Sequence, residues 1–138
     1  MGDVDQRAKI IWRLSNSGLG TTLTADGDTG GFTPGVNLAS AVDIRRVTDL
    51  ALMVYCSGTV VATSSLVVNL DVFDAAGNLF PAVLSTTALT ATGGEVAYGG
   101  LYSGGAAQIV LPEWGRISWA VTGTSPSLSG VEISLYGR

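Results

Sequence analysis

Residues 26–31, Asp-Gly-Asp-Thr-Gly-Gly, come closest to a chemical motif in this sequence. Alternating aspartates such as Asp26 and Asp28 can bind Ca²⁺ through their carboxylate oxygens. An EF-hand loop also needs further oxygen ligands and a glutamate at its last position, and none follows at that spacing. The pattern therefore favours a glycine-rich turn, with Asp26 and Asp28 as the candidate metal ligands.

No combination of residues predicts a catalytic site. The chain has no histidine, which removes the commonest general base and the commonest metal ligand. Thr29 stands where a serine-protease loop would carry its nucleophile, but charge-relay chemistry has no base here. Glu95, Glu113 and Glu132, the three glutamates, show no spacing typical of glycosidase carboxylates. No phosphate-binding loop occurs either. We therefore expect a non-enzymatic protein without a cofactor.

The tryptophans Trp12, Trp114 and Trp119 are candidates for a sugar-stacking platform. Trp119 alternates in phase with Ile117 and Val121, which predicts a position in the core. Trp114 lies at a corner before the last strands, where we expect partial exposure. Packing in a core or an interface is the more common role of all three side chains.

Low charge and high apolar content narrow the class of protein. Charged residues make up 13% of the 138 residues, about half the share usual in soluble domains, and the net charge is −4. Lys9 is the single lysine, and no basic stripe typical of nucleic-acid binding is present. The longest apolar run, Leu50–Cys56, is far shorter than the roughly 20 residues that span a bilayer. We expect neither nucleic acid nor membrane as a partner.

The high apolar content also predicts contacts with other chains. A chain with mean hydropathy +0.41 and so little charge is expected to bury surface against other chains, as a subunit of an assembly. The alternative is a monomer with an apolar core and a surface of serine, threonine and glycine. Cys56, the single cysteine, excludes an internal disulfide and fits a buried small hydrophobe.

Alternating apolar and polar residues predict about eight strands with turns between them, the pattern of an all-β protein. Asp49–Cys56 is apolar on both faces, which predicts a central strand. Pro81 places its strand at a sheet edge, since proline cannot donate a hydrogen bond. We expect a single antiparallel β-sandwich domain at residues 15–138, jelly-roll or Ig-like, preceded by an extended N-terminal arm with a first strand at residues 1–14. The predicted strands are Ala8–Leu14, Thr21–Ala25, Asp49–Cys56, Ser65–Phe73, Leu79–Leu84, Glu95–Tyr98, Ala106–Leu111 and a closing antiparallel hairpin over residues 113–138.

The N-terminal arm is locally basic in an acidic chain. Its cations fit either a solvated edge strand, because charges protect edges, or an arm that docks on an acidic partner. The long loop at residues 15–35 is a second candidate contact segment. The predicted partner contacts are Val4, Arg7, Lys9, Trp12 and Arg13 in the arm, Phe32 and Pro34 in the loop, and Trp114.

The C-terminal stretch resembles a pattern in small virion proteins of tailed bacteriophages. The pattern runs from Gly115-Arg116-Ile117 through Trp119 and Val121 to Gly123-Thr-Ser-Pro-Ser127, and closes at Leu135-Tyr136-Gly137-Arg138. The order of features upstream is also similar over residues 40–138. These features are Val42-Asp43, the strand Leu50–Tyr55, Ser57-Gly58-Thr59, the strand Leu66–Phe73 and the turn Asp74–Asn78.

The resemblance implies a β-sandwich of the phage particle that catalyses nothing. Capsid decoration (cement) proteins of this kind form trimers or clusters at symmetry axes, with N-terminal arms that grip the major capsid protein. We therefore expect a decoration protein on the exterior of the capsid, made in the host cytoplasm, with the major capsid protein and copies of itself, as a homotrimer, as partners. The alternatives are another virion component (a tail-tube, connector or head-fibre subunit) or a carbohydrate- or receptor-binding module.

Overall fold

The computed structural model describes residues 7–14, 20–30, 42–100 and 111–138; the other residues lie outside the described part of the chain. Within these ranges the chain forms ten β-strands and no helix. The strands are β1 (Lys9–Arg13), β2 (Thr21–Leu23), β3 (Gly27–Asp28), β4 (Val42–Asp43), β5 (Asp49–Cys56), β6 (Ser65–Phe73), β7 (Leu79–Ser85), β8 (Gly93–Gly100), β9 (Trp114–Thr122) and β10 (Leu128–Gly137).

The strands form two antiparallel sheets. Sheet A has the order β1-β10-β5-β8, and sheet B has the order β3-β9-β6-β7. Strand β2 continues along the edge of β10 that β1 occupies, and β4 continues beside β3 along β9. Counted as one interrupted strand each, β1/β2 and β3/β4 give eight strands with sheet orders 1-8-3-6 and 2-7-4-5. This is the strand order of a double-Greek-key jelly roll. The predicted β-sandwich is confirmed, and of the two topologies expected it is the jelly roll.

The core lies between the sheets and consists of the inward residues of the long strands. Leu52 and Val54 of sheet A and Leu66 and Val68 of sheet B have almost no solvent exposure. Cys56 is fully buried among them, as predicted, and its thiol donates a hydrogen bond to a backbone carbonyl. Every second residue of these strands is apolar because successive side chains on a strand point to opposite faces.

The prediction that the last two strands form a hairpin is wrong, although the prediction of which of their side chains face the core is right. Strand β9 pairs with β6, β3 and β4 in sheet B, whereas β10 pairs with β5, β1 and β2 in sheet A. Gly123–Ser127 therefore crosses from one sheet to the other, a gap of about 10 Å. Hydrogen bonds from the N–H groups of Thr124 and Ser127 to the hydroxyls of Thr63 and Ser64 hold this crossing. Alternation predicts which side chains face the core, but it does not distinguish strands side by side from strands face to face.

Other elements differ from the prediction mainly in length. The turn at Asp74–Asn78 and the edge position of β7 are confirmed: Asp74 Oδ1 accepts the N–H groups of Ala76 and Asn78. Strand β8 runs from Gly93 to Gly100, well beyond the predicted Glu95–Tyr98, because it pairs with β5 along its whole length. The strand predicted at Ala106–Leu111 falls largely on residues outside the described ranges.

Candidate interaction surface on the outer face of sheet A

The outer face of sheet A is unusually apolar and aromatic. The register of β10, β5 and β8 aligns three rows on it: Glu132, Tyr55 and Gly94; Ser134, Met53 and Val96; Tyr136, Ala51 and Tyr98. Ile10 of β1 lies beside Tyr136. All three tyrosines that the structure describes are on this face. It also holds five of the eight exposed large hydrophobic residues of the described ranges: Ile10, Met53, Tyr55, Val96 and Tyr98.

The tyrosines divide this face into grooves. One groove, of about 390 Å³, lies over Met53 and Ser134, between Tyr55 and Tyr136. A second, of about 270 Å³, lies over Ala51 beyond Tyr136 and Tyr98. The surface therefore has ridges and hollows that a complementary surface can fill.

Gly94 determines how the ring of Tyr55 lies. A Cβ built on Gly94 would come within 2.9 Å of Tyr55 Cδ2, so the tyrosine ring lies against a backbone that only glycine leaves open. Tyr55 and Tyr98 are each more than half exposed. Tyrosine is enriched in protein interfaces because it combines a large apolar ring with a polar end.

Charges lie at the ends of this surface. At one end Arg13 Nη2 is 3.4 Å from Glu132 Oε2, and at the other Arg138 Nε is 3.2 Å from Asp49 Oδ2. Glu132 Oε1 is buried and has no hydrogen-bond partner among the described residues. The middle of the face is uncharged, in the arrangement of an apolar centre with a polar rim that is typical of protein interfaces.

The outer face of sheet B differs, because a charge network crosses it. Arg116 Nε on β9 donates to Asp71 Oδ2 on β6 at 2.8 Å, and Arg116 Nη1 is 3.4 Å from Asp28 Oδ2 on β3. Asp71 Oδ1 accepts the N–H of Ala82 on β7 at 2.8 Å, where the backbone has a positive φ of 54°. The network therefore joins all four strands of the sheet's main order and has a structural role.

The candidate metal ligands take part in strand pairing. Asp26 Oδ1 accepts the N–H of Val121 at 2.7 Å, and Asp28 Oδ1 accepts the N–H of Gly30 at 2.8 Å. The hydroxyl of Thr29 accepts the N–H of Ile117 at 3.1 Å. The contacts of Asp26 and Thr29 attach the Asp-Gly-Asp-Thr stretch to β9, whereas the contact of Asp28 with Gly30 is local. Within the described ranges, no three acidic or cysteine side chains are grouped as metal ligands.

The predicted contact residues fall in different settings. Arg7 and Lys9 are exposed, Arg13 pairs with Glu132, and Trp12 is half-buried against the core. Strand β1 is thus part of sheet A, as predicted for the first strand, and residues 1–6 of the predicted arm lie outside the described ranges. Val4, Phe32 and Pro34 lie outside the described ranges.

The prediction that Trp114 is partly exposed is wrong. Its side chain is only 9% exposed, because Trp114 begins β9 and pairs there with Phe73 and Asp43. The guanidinium of Arg45 covers its ring, 4.7 Å from the centroid. Asp43 holds this guanidinium in place through a 2.8 Å contact between Oδ2 and Nη2. The ring of Trp114 is therefore not accessible for stacking against a sugar.

The residues of the exposed face were missed by sequence reasoning, although a signal was present. Asp49–Cys56 is apolar at both alternating sets of positions, which we interpreted as burial on both faces. The structure buries Leu52 and Val54 and exposes Met53 and Tyr55. A strand that is apolar on both faces therefore predicts either a covered strand or a surface for a partner.

No protein-family model matches the chain, and no curated protein and no solved structure matches it either. In the described part of the chain, no helix has the length and apolar character needed to cross a membrane.

Proposed function

We propose that this chain is a non-enzymatic structural protein of a tailed-phage particle, and specifically a decoration protein that stabilises the head by binding the major capsid protein on the capsid exterior. The observation that carries the proposal is the outer face of sheet A, with its uncharged centre and its exposed tyrosines. Large exposed apolar patches mark interaction sites, because water is displaced from them on binding.

Multivalency explains how such a surface would stabilise a shell. Each copy contributes a modest contact, and many copies joined across neighbouring capsid subunits raise the effective concentration of every further contact. The jelly-roll topology is compatible with this role, since viral capsid domains use it, but so do lectins and cupins. The surface and the resemblance in residues 40–138 support the particle role in particular.

The test uses purified protein and expanded capsids that lack it. We expect wild-type protein to co-sediment with the capsids and to raise the temperature at which they release their contents. A variant carrying Tyr55→Ser and Tyr98→Ser should remain folded and lose both effects. Phe80→Ser is the matched control, because Phe80 is similarly exposed but lies on β7 in sheet B.

Two results would refute the proposal. One is wild-type protein that does not bind capsids at any concentration, and the other is a double tyrosine variant that binds as the Phe80→Ser control does. Counting copies per particle distinguishes the head from the tail, because a decoration protein covers the whole shell whereas a connector forms a single ring.

A further inference from the structure

The carboxylate of Glu132 is incompletely satisfied. Its Oε2 is 3.4 Å from Nη2 of Arg13, whereas charge-assisted hydrogen bonds are normally about 2.7–2.9 Å long. Its Oε1 is the one buried side-chain oxygen, among the residues that the structure describes, without a hydrogen-bond partner. An unsatisfied carboxylate oxygen costs free energy, so a donor that another molecule brings to Glu132 is bound with a gain.

This carboxylate belongs to the larger groove on the outer face of sheet A. The groove has a volume of about 390 Å³, and Met53 and Ser134 form its floor. Glu132 is directly opposite Tyr55 in the strand register, so the carboxylate and the tyrosine ring share one end of the groove. Tyr136 lies four residues further along β10, which is about 13 Å. The groove is therefore a trough with an apolar floor, a ring at each end and a carboxylate at one of them.

The carboxylate of Glu132 can present an oxygen to a ligand in the groove. Glu132 lines the groove, and its side chain is 24% exposed. The last side-chain torsion of a glutamate is broad, and rotation about it exchanges Oε1 with Oε2. One oxygen can therefore face the groove while the other stays near Arg13.

We propose that this groove binds an arginine side chain of a partner protein. A guanidinium group donates hydrogen bonds to a carboxylate such as that of Glu132, and its plane stacks on an aromatic ring such as that of Tyr55. The aliphatic part of the arginine then lies along the apolar floor at Met53, as long cationic side chains do on apolar surfaces. The ammonium group of lysine lacks the planar face and the paired donors, so the groove favours arginine.

Charge favours a different, cationic protein over a second copy as the source of the arginine. The chain has a net charge of −4, so it attracts a basic partner and repels itself. Four of its six arginines already contact carboxylates of their own chain; they are Arg13, Arg45, Arg116 and Arg138. The identification of this partner as the major capsid protein rests on the proposed function, whereas the preference of the groove for arginine does not.

The test observes Met53 on the floor of the groove. Labelling the methionine methyl groups with carbon-13 gives NMR signals from two residues, Met1 and Met53. Titration with N-acetyl-arginine amide should shift the Met53 signal saturably at millimolar concentrations of this ligand. N-acetyl-citrulline amide has a similar shape but no charge, and it should bind at least about tenfold more weakly. N-acetyl-lysine amide should also bind more weakly than the arginine compound.

Two variants distinguish a binding role of Glu132 from a structural one. Glu132→Gln should weaken binding of N-acetyl-arginine amide at least about tenfold, whereas Arg13→Gln should strengthen it, because Arg13 no longer competes for the carboxylate. Loss of a merely structural ion pair would change binding in the same direction in both variants. Tyr55→Leu should also weaken binding. The matched controls are Glu113→Gln, at an exposed glutamate, and Tyr98→Leu, at a similarly exposed tyrosine; neither residue lines the groove.

The proposal is wrong if N-acetyl-arginine amide gives no saturable shift, if the citrulline compound binds equally well, or if Glu132→Gln and Arg13→Gln act in the same direction. A Met53 signal that moves with protein concentration alone would assign the groove to a second copy and would also overturn the proposal. Arginine binding by a protein that does not bind capsids refutes the proposed function and leaves the groove assignment intact. Capsid binding without arginine binding refutes the groove assignment alone. Far-ultraviolet circular dichroism confirms that each variant is folded.

Discussion

The guanidinium of Arg116 donates a 2.8 Å hydrogen bond from Nε to Oδ2 of Asp71, a carboxylate whose side chain is only 2% exposed. The other carboxylate oxygen of Asp71 accepts the N–H of Ala82. Both oxygens of a buried charge are thereby satisfied, and the two partners belong to strands on opposite sides of β6. The pair therefore holds β9 and β7 to the central strand of sheet B by side-chain contacts in addition to backbone pairing.

Removing the cation should destabilise the sandwich. Arg116→Met leaves the carboxylate of Asp71 buried with one hydrogen bond, and uncompensated buried charges cost about 3–5 kcal/mol, less here because Arg116 is partly exposed. We expect the free energy of unfolding, measured by urea denaturation, to fall by about 2–3 kcal/mol. Arg46→Met, at an exposed arginine, should leave it unchanged. Equal values for the two variants would show that the buried pair contributes nothing.

Acid should weaken the contact that covers Trp114. Hydrogen bonds from the side chain of Arg45, followed by its backbone N–H, lower the pKa of Asp43 from 3.8 to about 2. Because the folded-state pKa is the lower one, the stabilising contribution is present above pH 3.8 and is lost as the pH falls through about 2. Carbon-detected NMR titration of the Asp43 carboxyl should show this value, and Arg45→Met should return it toward 3.8. A midpoint near 3.8 in the unaltered protein contradicts the prediction.

The position of β3 depends on a glycine against an indole ring. A Cβ on Gly27 would come within 2.5 Å of Trp119 Cζ2. Gly27→Ala should therefore displace the ring or the strand and destabilise the protein by about 1–3 kcal/mol, as overpacking does. Denaturation gives the energy, and a shift of tryptophan fluorescence reports the movement. Unaltered stability and fluorescence of Gly27→Ala would contradict the prediction, because the added methyl group would then fit beside Trp119 without an energetic cost.

Two N-terminal deletions should have different effects on stability. Deleting residues 1–7 leaves β1 intact, so the free energy of unfolding should fall by much less than in the longer deletion. Deleting residues 1–14 removes β1, including Ile11 and Trp12, which pack against the core, and should lower the stability by several kcal/mol. Thermal unfolding of both deletions checks this. The shorter deletion is therefore the one that tests whether the arm contributes to capsid binding.

The sequence predicted where the strands begin and end better than it predicted which strands pair with each other. The boundaries of β5 and β6 and the burial of Ile117 and Val131 follow from alternation, which is a local property. Which sheet a strand joins depends on contacts distant in sequence, so β9 and β10 were wrongly paired with each other. The exposed outer face of sheet A was not predicted for a related reason. An apolar residue such as Met53 gives the same sequence pattern whether a core or a partner covers it.

Two edge strands are divided into separate pieces, and this division allows the connections between the pieces to vary in length. Strands β3 and β4 attach to β9 through their own hydrogen bonds, and β1 and β2 attach to β10 in the same way. The length of the connection between two such pieces is therefore not determined by the pairing, and longer loops cost little free energy. Connections of different length can therefore join the two pieces of each edge strand while the jelly roll keeps the same core.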